Sequence, residues 1–177
     1  MTVIANRLKQ LIQALRAKMT EENIALINKY LSGREKDLFN RLDLPTRKHC
    51  VLVAGKCLEL SPVYKVEPRL MAKAALLHDI GKGSGNMSII DRSLTAALDF
   101  FCPWLLRKLA RPGRGNIFRN FRHAAYIYLH HPALGADLLK LTGTEPMLIE
   151  LTALHHQAAK KDDPPELELL RKADGMF

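Results

Sequence analysis

Apolar residues recur at intervals of three and four along almost the whole chain, and no stretch alternates cleanly between apolar and polar residues. One such stripe near the start of the chain consists of Ile4, Leu8, Leu11, Leu15 and Met19. Spacings of three and four place side chains on one face of an α-helix, whereas a half-buried strand alternates at every second residue. The pattern therefore predicts an all-α protein.

Capping residues and helix breakers predict three helices in residues 1–45. The first carries the stripe described above. Thr20, which precedes two glutamates, caps the second, and Ser32 with Glu35 matches a capping box that opens the third, which is expected to end before Pro45. We interpret this part of the chain as an N-terminal helical extension that packs on the core.

The same signals predict a single helical domain in residues 46–177. Thr46 caps a helix that Pro62 closes, and Pro132 starts a new helix, so that a break is expected after residue 130. Residues 81–91 hold three glycines and are predicted to form a loop. The predicted helices cover about 46–60, 69–79, two segments flanking the loop 112–115, 132–142, 144–157 and 165–174.

Composition narrows the class of protein. Of the 177 residues, 47% are hydrophobic and 25% are charged, which is typical of one globular domain. The longest apolar runs are far shorter than the roughly 20 residues that cross a bilayer, so no membrane span and no membrane partner are expected. The first 20 residues lack the apolar core of a secretory signal, and three cysteines without CxxC spacing indicate no disulfide framework. We expect a reduced, cytoplasmic protein.

Positive charge is concentrated in one part of the chain. The net charge is +9, and no acidic residue stands between Asp99 and Asp137. This segment contains six basic residues: Arg107, Lys108, Arg111, Arg114, Arg119 and Arg122. Such a field attracts phosphates of a nucleotide, a nucleic acid or a lipid surface. The alternative is a solvated basic face that aids solubility.

Several of the seven histidines stand beside apolar helical stripes. His155 follows Leu148 and Leu151 by seven and four residues, which directs its imidazole toward the core. Asp174 repeats this spacing relative to two leucines of the last predicted helix, so its carboxylate is also directed inward. An unpaired buried charge is strongly unfavourable, and a divalent metal would remove that penalty because imidazole and carboxylate are good ligands.

His78 and Asp79 stand together at the C-terminal end of an apolar helix. Adjacent helical residues point about 100° apart, so both can approach one ion only near a helix end, where Gly81 lets the backbone relax. With His49 from one helix and Asp174 from the last, one ion would connect elements that are distant in sequence.

His49, the string LLHDIGK around His78 and Asp79, and Asp174 within KADGMF resemble the H…HD…D signature of HD-domain metal-dependent phosphohydrolases. The resemblance covers roughly residues 46–176. It implies a helical HD-type bundle that hydrolyses a phosphomonoester or phosphodiester by metal-activated water, with a nucleotide or dinucleotide as the expected substrate. It also implies these four residues as metal ligands, with one or two divalent ions per chain drawn from iron, manganese, zinc, nickel, cobalt or magnesium.

Three further histidines match a subset of this family. His131 in HHPALGADLL and the pair His155 and His156 in LTALHHQ resemble positions that bring a second metal beside the first in the HDIG and HD-GYP branches. In those branches Asp79 would bridge the two ions. Core or capping histidines are the alternative. The GYP tripeptide is absent, so specificity for cyclic-di-GMP is not carried over.

Two kinds of residue are candidates for contact with the substrate. Lys82 matches the lysine of the HDIGK string and, together with Asp79, is expected to serve catalysis by contacting a phosphate, although a surface lysine is the alternative. Arg119 and Arg122 of the basic segment are candidates for binding an anionic phosphorylated small molecule. A homo-oligomer and a nucleic-acid partner are both compatible with the sequence.

A catalytically silent HD-type module that binds a nucleotide or nucleic acid is the competing function. It would keep the metal and use the basic segment to hold its ligand. All four residues of the basic signature are present, whereas a degenerate domain is expected to have lost at least one. The sequence therefore favours an enzyme.

Overall fold

The computed structural model of the chain describes residues 18–85 and 89–177, and in these ranges it contains nine α-helices, one 3-10 helix and no strand. The all-α prediction is confirmed. The predicted stripe from Ile4 to Leu15 lies outside the described residues. The helices are α1 (Glu21–Tyr30), α2 (Gly33–Asn40), α3 (Leu44–Tyr64), α4 (Pro68–Leu77), the 3-10 helix (Ile80–Ser84), α5 (Ile89–Phe101), α6 (Pro103–Leu109), α7 (Ile117–Thr142), α8 (Pro146–Leu154) and α9 (Pro165–Asp174).

Local capping explains the first two helices. The Thr20 hydroxyl accepts a hydrogen bond from the backbone N–H of Asn23, and the Asn23 side chain accepts one from the backbone of Thr20. The Glu35 carboxylate accepts from the backbone N–H of Ser32 at 2.8 Å, as the predicted capping box requires. Both predicted starts are confirmed.

The predicted bounds of α3 are wrong at both ends. Asp43, rather than Thr46, caps the helix, because its carboxylate accepts from the backbone N–H of Thr46 at 3.0 Å. The helix also continues through Pro62 and ends at Tyr64, where Lys65 caps it in a left-handed conformation with φ 55°. A proline removes one backbone hydrogen bond, and near the end of a long, buried helix that loss does not outweigh packing.

The predicted break at Pro132 is also wrong, because α7 is one helix of 26 residues that contains this proline. Gly143 ends it with φ 74°, as predicted. The next helix is capped at Glu145 rather than Thr144 and ends three residues before Gln157. The predicted glycine-rich loop is partly a 3-10 helix, and the helical region before residue 112 is divided into α5 and α6 at Pro103.

One buried cluster unites most of the helices. It draws side chains from α1 to α4, from the end of α7 and from α8 and α9, and its members include Ile27, Leu38, Phe39, Val53, Leu76, Leu139, Leu151 and Leu170. The described part of the predicted extension therefore contributes to the same core as the helices that follow it. None of the described helices is both long and apolar enough to cross a bilayer.

Candidate metal centre

His78 and Asp79 lie where α4 gives way to the 3-10 helix, and each is only 1% exposed. His78 still has helical backbone angles, but Asp79 has φ −101° and ψ 4°, outside the helical region. This change of backbone direction lets two adjacent side chains face one point. His78 Nε2 lies 3.6 Å from Asp79 Oδ2.

A first group of potential ligands surrounds this helix end. His49 from α3 places its Nε2 atom 2.8 Å from Asp174 Oδ1 at the end of α9, and His78 Nε2 lies 3.4 Å from the same oxygen. The ligand atoms of His49, His78 and Asp79 all lie within 4.8 Å of one another. The consecutive helices α3 and α4 thus meet α9, which is distant from them in sequence.

A second group shares Asp79 with the first. It consists of Asp79, His131 from α7, and His155 and His156 from the end of α8, whose ligand atoms also lie within 4.8 Å of one another. Asp79 Oδ1 is 3.2 Å from His131 Nε2 and 3.9 Å from His155 Nε2. The other carboxylate oxygen faces His78, so Asp79 lies between the two groups.

The tautomers of three histidines follow from their backbone contacts. In each of His78, His131 and His155, the Nδ1 atom lies 2.7–2.8 Å from the carbonyl oxygen of the residue three positions earlier. A carbonyl only accepts, so Nδ1 carries the hydrogen, and a neutral ring then presents the Nε2 lone pair to the cluster. Metal-binding histidines are oriented by this kind of hydrogen bond.

In a continuous helix each of these carbonyls would accept a hydrogen bond from the backbone N–H four residues later. Here that N–H is missing or lies beyond the end of the helix. Helices α4 and α8 end two residues after Ala75 and Thr152, which accept from His78 and His155. In α7 the residue four positions after Tyr128 is Pro132, which has no N–H. We conclude that helix ends and one internal proline make these carbonyls accessible to the imidazoles.

Four atoms of this cluster test whether a metal fits. His78 Nε2, Asp79 Oδ1, His131 Nε2 and His155 Nε2 are buried without a hydrogen-bond partner. His131 Nε2 and Asp79 Oδ1 are only 3.2 Å apart, but their orientation makes no hydrogen bond. Each unsatisfied buried group costs about 1–3 kcal/mol. Divalent cations bound at the two groups would satisfy these atoms, and a donor set of imidazole and carboxylate suits iron, manganese, zinc and similar ions.

The carboxylates of the site are held in their charged form. Burial by itself would raise the pKa of Asp79, but the Lys82 ammonium and the His78 imidazole lower it well below its ordinary value. Burial acts on Asp174 in the same way, but its hydrogen bond with His49 and the nearby His78 ring more than compensate, so that its pKa is also lowered. Both groups are therefore available as anionic ligands.

The histidines respond to burial in two ways. Burial and neighbouring histidines lower the pKa of His155 well below its ordinary value. His156 keeps more contact with solvent, and its partial burial together with His131 lowers its pKa to about 4. These rings are therefore neutral near pH 7, which is the form that binds metals. Burial also opposes protonation of His78, but Asp79 and Asp174 raise its pKa overall. The two carboxylates thus favour a cation beside this ring.

Lys82 and the two arginines differ in their relation to the cluster. Lys82 Nζ donates to Asp79 Oδ2 at 2.6 Å, and its side chain is 24% exposed, so it connects the cluster with solvent. Arg122 instead donates to the Leu109 carbonyl, and Arg119 is exposed. Arg122 precedes His131 by nine residues, which is about 14 Å along a helix axis. The structure does not bring these arginines to the cluster, and their role in substrate binding stays a prediction.

Pro132 and Gly81 were named from the sequence, but how they shape the site was not recognised. Pro132 was interpreted as a helix start, although its position directly after His131 was the available signal. Gly81 was recognised only as a relaxing residue. A Cβ atom on Gly81 would lie 2.0 Å from the His131 carbonyl oxygen, so only glycine allows α7 to approach the 3-10 helix this closely.

Comparison with known proteins identifies the family. A family model for the HD domain matches residues 46–176, which is most of the chain. No curated protein and no solved structure gave a significant match. The matched range contains every histidine and aspartate of the two groups described above. This chain therefore belongs to the HD domain family.

Proposed function

We propose that the protein is a metal-dependent phosphohydrolase that cleaves a phosphomonoester or phosphodiester bond of a nucleotide or dinucleotide. The observation that carries this proposal is the set of four buried, unpartnered atoms around Asp79. Membership of the HD domain family supports it, because typical HD domains are metal-dependent hydrolases. The nucleotide part of the proposal depends on the family resemblance alone.

We further propose two metal positions that share Asp79. His49, His78, Asp79 and Asp174 would hold one ion, and Asp79 with the histidine group of α7 and α8 would hold the other. The support is geometric, since the two carboxylate oxygens of Asp79 face different groups. This arrangement agrees with an HDIG or HD-GYP-like branch of the family.

The reaction would add water to phosphorus, break the P–O ester bond and leave the departing alcohol oxygen protonated. A bound divalent ion supplies activation of water at neutral pH and polarises the phosphate. Asp79 holds its charge inside the cluster through the Lys82 ammonium. The same ammonium is partly exposed and can rotate to donate hydrogen bonds to phosphate oxygens of the substrate. Burial of the surrounding imidazoles restricts the entry of other water.

We place this activity in the cytoplasm, on an anionic phosphorylated small molecule. Cys50, Cys57 and Cys102 are free cysteines, as expected in a reducing compartment, and the first two are buried. Burial raises the pKa of Cys50 well above its ordinary value, which makes it an inert thiol rather than a nucleophile. The hydrolytic chemistry therefore rests on the metal cluster.

The proposal is tested by metal analysis together with hydrolysis of a substrate panel. The protein is purified without chelator, metal per chain is measured by mass spectrometry, and nucleotides, cyclic dinucleotides and simple phosphomonoesters are assayed. Asp79→Asn should lose both bound metal and turnover. Asp137→Asn is the matched control, because this carboxylate on α7 is 69% exposed and pairs only with Lys140 in the described residues. A protein that binds no metal, or that hydrolyses nothing in the panel when loaded, would contradict the proposal.

The second metal position has its own control. His131→Ala should lower the metal content from two ions per chain to one, whereas His130→Ala on the exposed side of the same helix should leave it unchanged. A wild-type protein that never holds more than one ion per chain would restrict the mechanism to a single metal.

A further inference from the structure

Exposed apolar side chains are concentrated in one segment of the chain. Twelve large hydrophobic side chains are exposed in the described residues, and seven of them fall between residues 90 and 118. These are Ile90, Leu94, Phe100, Phe101, Trp104, Ile117 and Phe118. The other five are scattered, which is normal for a protein surface, whereas a concentrated patch marks an interaction site. None of the seven contributes to the metal cluster.

Helix α5 turns its apolar side toward solvent. Ile90, Leu94, Ala97 and Phe101 are spaced by four, three and four residues, so they form a single stripe along the helix. Ile90 is 71% exposed and Phe101 is 75% exposed, while Thr95, toward the other side of the helix, is fully buried. An amphipathic helix of a soluble protein normally buries its apolar stripe. This orientation therefore leaves an apolar surface without a partner in the described part of the chain.

The cations of the basic segment lie next to this stripe. Helices α5, α6 and α7 pack against one another, so their outer surfaces are adjacent. The side chains at Arg107, Lys108, Arg111 and Arg114 are exposed along α6 and the following loop. The loop is joined to α7 by a backbone hydrogen bond from Arg111 to Arg122. We call the surface made of residues 90–119 of these helices and this loop the α5–α6 surface.

The combination of positive charge and exposed apolar area indicates which kind of partner binds the α5–α6 surface. A second copy of the chain in a two-fold dimer would bring the same patch against itself and set cations against cations. A nucleic acid would neutralise the cations, but the Ile90, Leu94 and Phe101 stripe offers few polar groups to a backbone of phosphates and sugars. An anionic lipid surface suits both the apolar stripe and the cations, because apolar side chains enter the boundary between headgroups and acyl chains while Lys and Arg contact lipid phosphates.

We propose that the α5–α6 surface binds the face of an anionic lipid bilayer. The α5 stripe and Trp104 enter the headgroup region, and the basic residues of α6 and the loop stay at the level of the lipid phosphates. A protein bound in this way lies on the bilayer surface and does not cross it, so it needs no long apolar helix. No membrane partner was expected from the sequence, because only segments that cross a bilayer were considered there. It also gives the basic segment a role that does not require contact with the metal cluster.

The single tryptophan of the chain provides the readout. Trp104 is 64% exposed, so its emission should shift to shorter wavelength when it leaves water. The full chain is titrated with vesicles of phosphatidylcholine alone and of phosphatidylcholine mixed with phosphatidylglycerol, and binding is followed by emission and by co-sedimentation. We expect the shift and co-sedimentation only with the mixed vesicles, and both should weaken as salt is added.

Matched variants separate the contribution of the apolar stripe to vesicle binding from that of the basic residues. Leu94→Ser with Phe101→Ser should abolish the shift, whereas Val63→Ser with Leu141→Ser should not, although these two side chains are 72% and 80% exposed. Arg107→Gln with Lys108→Gln should weaken binding roughly 25-fold, at about fivefold per charge. Lys160→Gln with Lys161→Gln is the control, since this adjacent exposed pair lies on another loop. All variants should keep the metal content of the wild type.

Three outcomes would overturn the proposal. The first is the absence of binding to mixed vesicles, or equal binding to phosphatidylcholine alone. The second is preferential binding of a single-stranded DNA oligonucleotide that the Leu94 and Phe101 substitutions leave unchanged, which would indicate a nucleic-acid surface. The third is a dimer in analytical ultracentrifugation that these substitutions dissociate, which would assign the stripe to a second copy.

Discussion

The two oxygens of the Asp79 carboxylate face different groups, and this separation organises the site at the scale of single residues. One oxygen is next to His78 and Lys82, and the other is next to His131 and His155. A carboxylate placed in this way can bridge two ions or balance one ion against an ammonium. Lys82 contacts the cluster through its hydrogen bond to Asp79 Oδ2, which places a positive charge beside this carboxylate.

Lys82→Met tests this role, because methionine keeps an unbranched, flexible side chain but removes the charge. We expect kcat/KM to fall roughly 10- to 100-fold, the effect of losing a charge-assisted hydrogen bond to phosphate. Metal content should not change, since the ammonium is not a ligand. Lys140→Met, at an exposed position of α7, is the control. Unchanged kcat/KM would make Lys82 a surface lysine, and loss of metal would make it a structural one.

Glu35 is the buried carboxylate that ties α2 to α4. It is 3% exposed, and it accepts from Lys73 Nζ at 2.9 Å as well as from the backbone of Ser32. Burial would raise its pKa, but these partners lower the pKa overall. A lowered carboxyl pKa stabilises the fold above the unfolded pKa, and this stabilisation is lost as pH falls through the folded pKa.

Glu35→Gln should therefore lower the free energy of unfolding by about 1–3 kcal/mol at pH 7. The difference from wild type should shrink once the pH falls below roughly 4, because the carboxyl group is protonated first in the unfolded chain and, at lower pH, also in the folded one. Urea denaturation at several pH values measures both effects. Glu59→Gln removes a partner of Lys56 at a 62% exposed position and should change stability by less than about 1 kcal/mol. A difference that grows in acid would contradict the assignment.

At the scale of secondary-structure elements, the ends and interruptions of helices position the ligands. His78 and His155 stand at the C-terminal ends of α4 and α8, and Asp174 is the last residue of α9. His49 and His131 instead lie inside α3 and α7, and beside His131 the residue Pro132 interrupts the backbone hydrogen bonds as a helix end would. The proline thus costs backbone hydrogen bonding and contributes to the site.

Pro132→Ala tests this interpretation. The new N–H would donate to the Tyr128 carbonyl and compete with His131 Nδ1, so affinity for the second metal should fall about 10- to 100-fold. The free energy of unfolding should stay the same or rise by up to about 3 kcal/mol. Titration calorimetry on metal-depleted protein and urea denaturation measure the two effects. Pro62→Ala, in the last turn of α3, should not change metal affinity. Equal metal affinity in both variants would remove Pro132 from the site.

Gly81→Ala examines the contact between the 3-10 helix and α7. The added methyl group would overlap the His131 carbonyl, so we expect a loss of about 1–3 kcal/mol in the free energy of unfolding and weaker binding of the second metal. Gly55→Ala is the matched control, because no atom lies within 4 Å of the new Cβ, and it should stabilise α3 by about 0.5–1 kcal/mol. Equal stability of the two variants would show that α7 can move away without penalty.

At the scale of the whole molecule, the candidate site joins five helices from two parts of the chain that are far apart in sequence. It takes residues from α3, α4 and α9 on one side and from α7 and α8 on the other. An ion that binds only the folded chain stabilises it by mass action.

Removal of metal should consequently lower the thermal stability of the protein. With free metal at about 100 times the Kd, the ion contributes about 2.7 kcal/mol, so a chelator should reduce Tm by roughly 5–10 °C. Scanning calorimetry with and without chelator, followed by addition of single divalent ions, measures this effect and ranks the metals. Asp79→Asn should show no response to chelator. A wild-type Tm that does not depend on metal would mean that the cluster is held by its hydrogen bonds alone.

Local patterns determined a large part of this picture. The three- and four-residue periodicity determined the all-α class, because a helix must place its apolar side chains on one face to bury them. Capping chemistry at Thr20 and Ser32 and the glycine at Gly143 determined helix ends, since those interactions involve only neighbouring residues. The motif strings around His78 and Asp174 indicated the family in the same local way.

Tertiary packing decided what local rules could not. Both internal prolines, Pro62 and Pro132, were expected to bound helices, but packing of long helices against the core outweighs one missing hydrogen bond. The distance between His131 and Asp79 depends on the contact of α7 with Gly81, which no spacing along the chain encodes. The exposure of the α5 stripe is likewise a result of tertiary packing. Periodicity shows that a helix has an apolar side, but only the packed structure decides whether that side faces the core or the solvent.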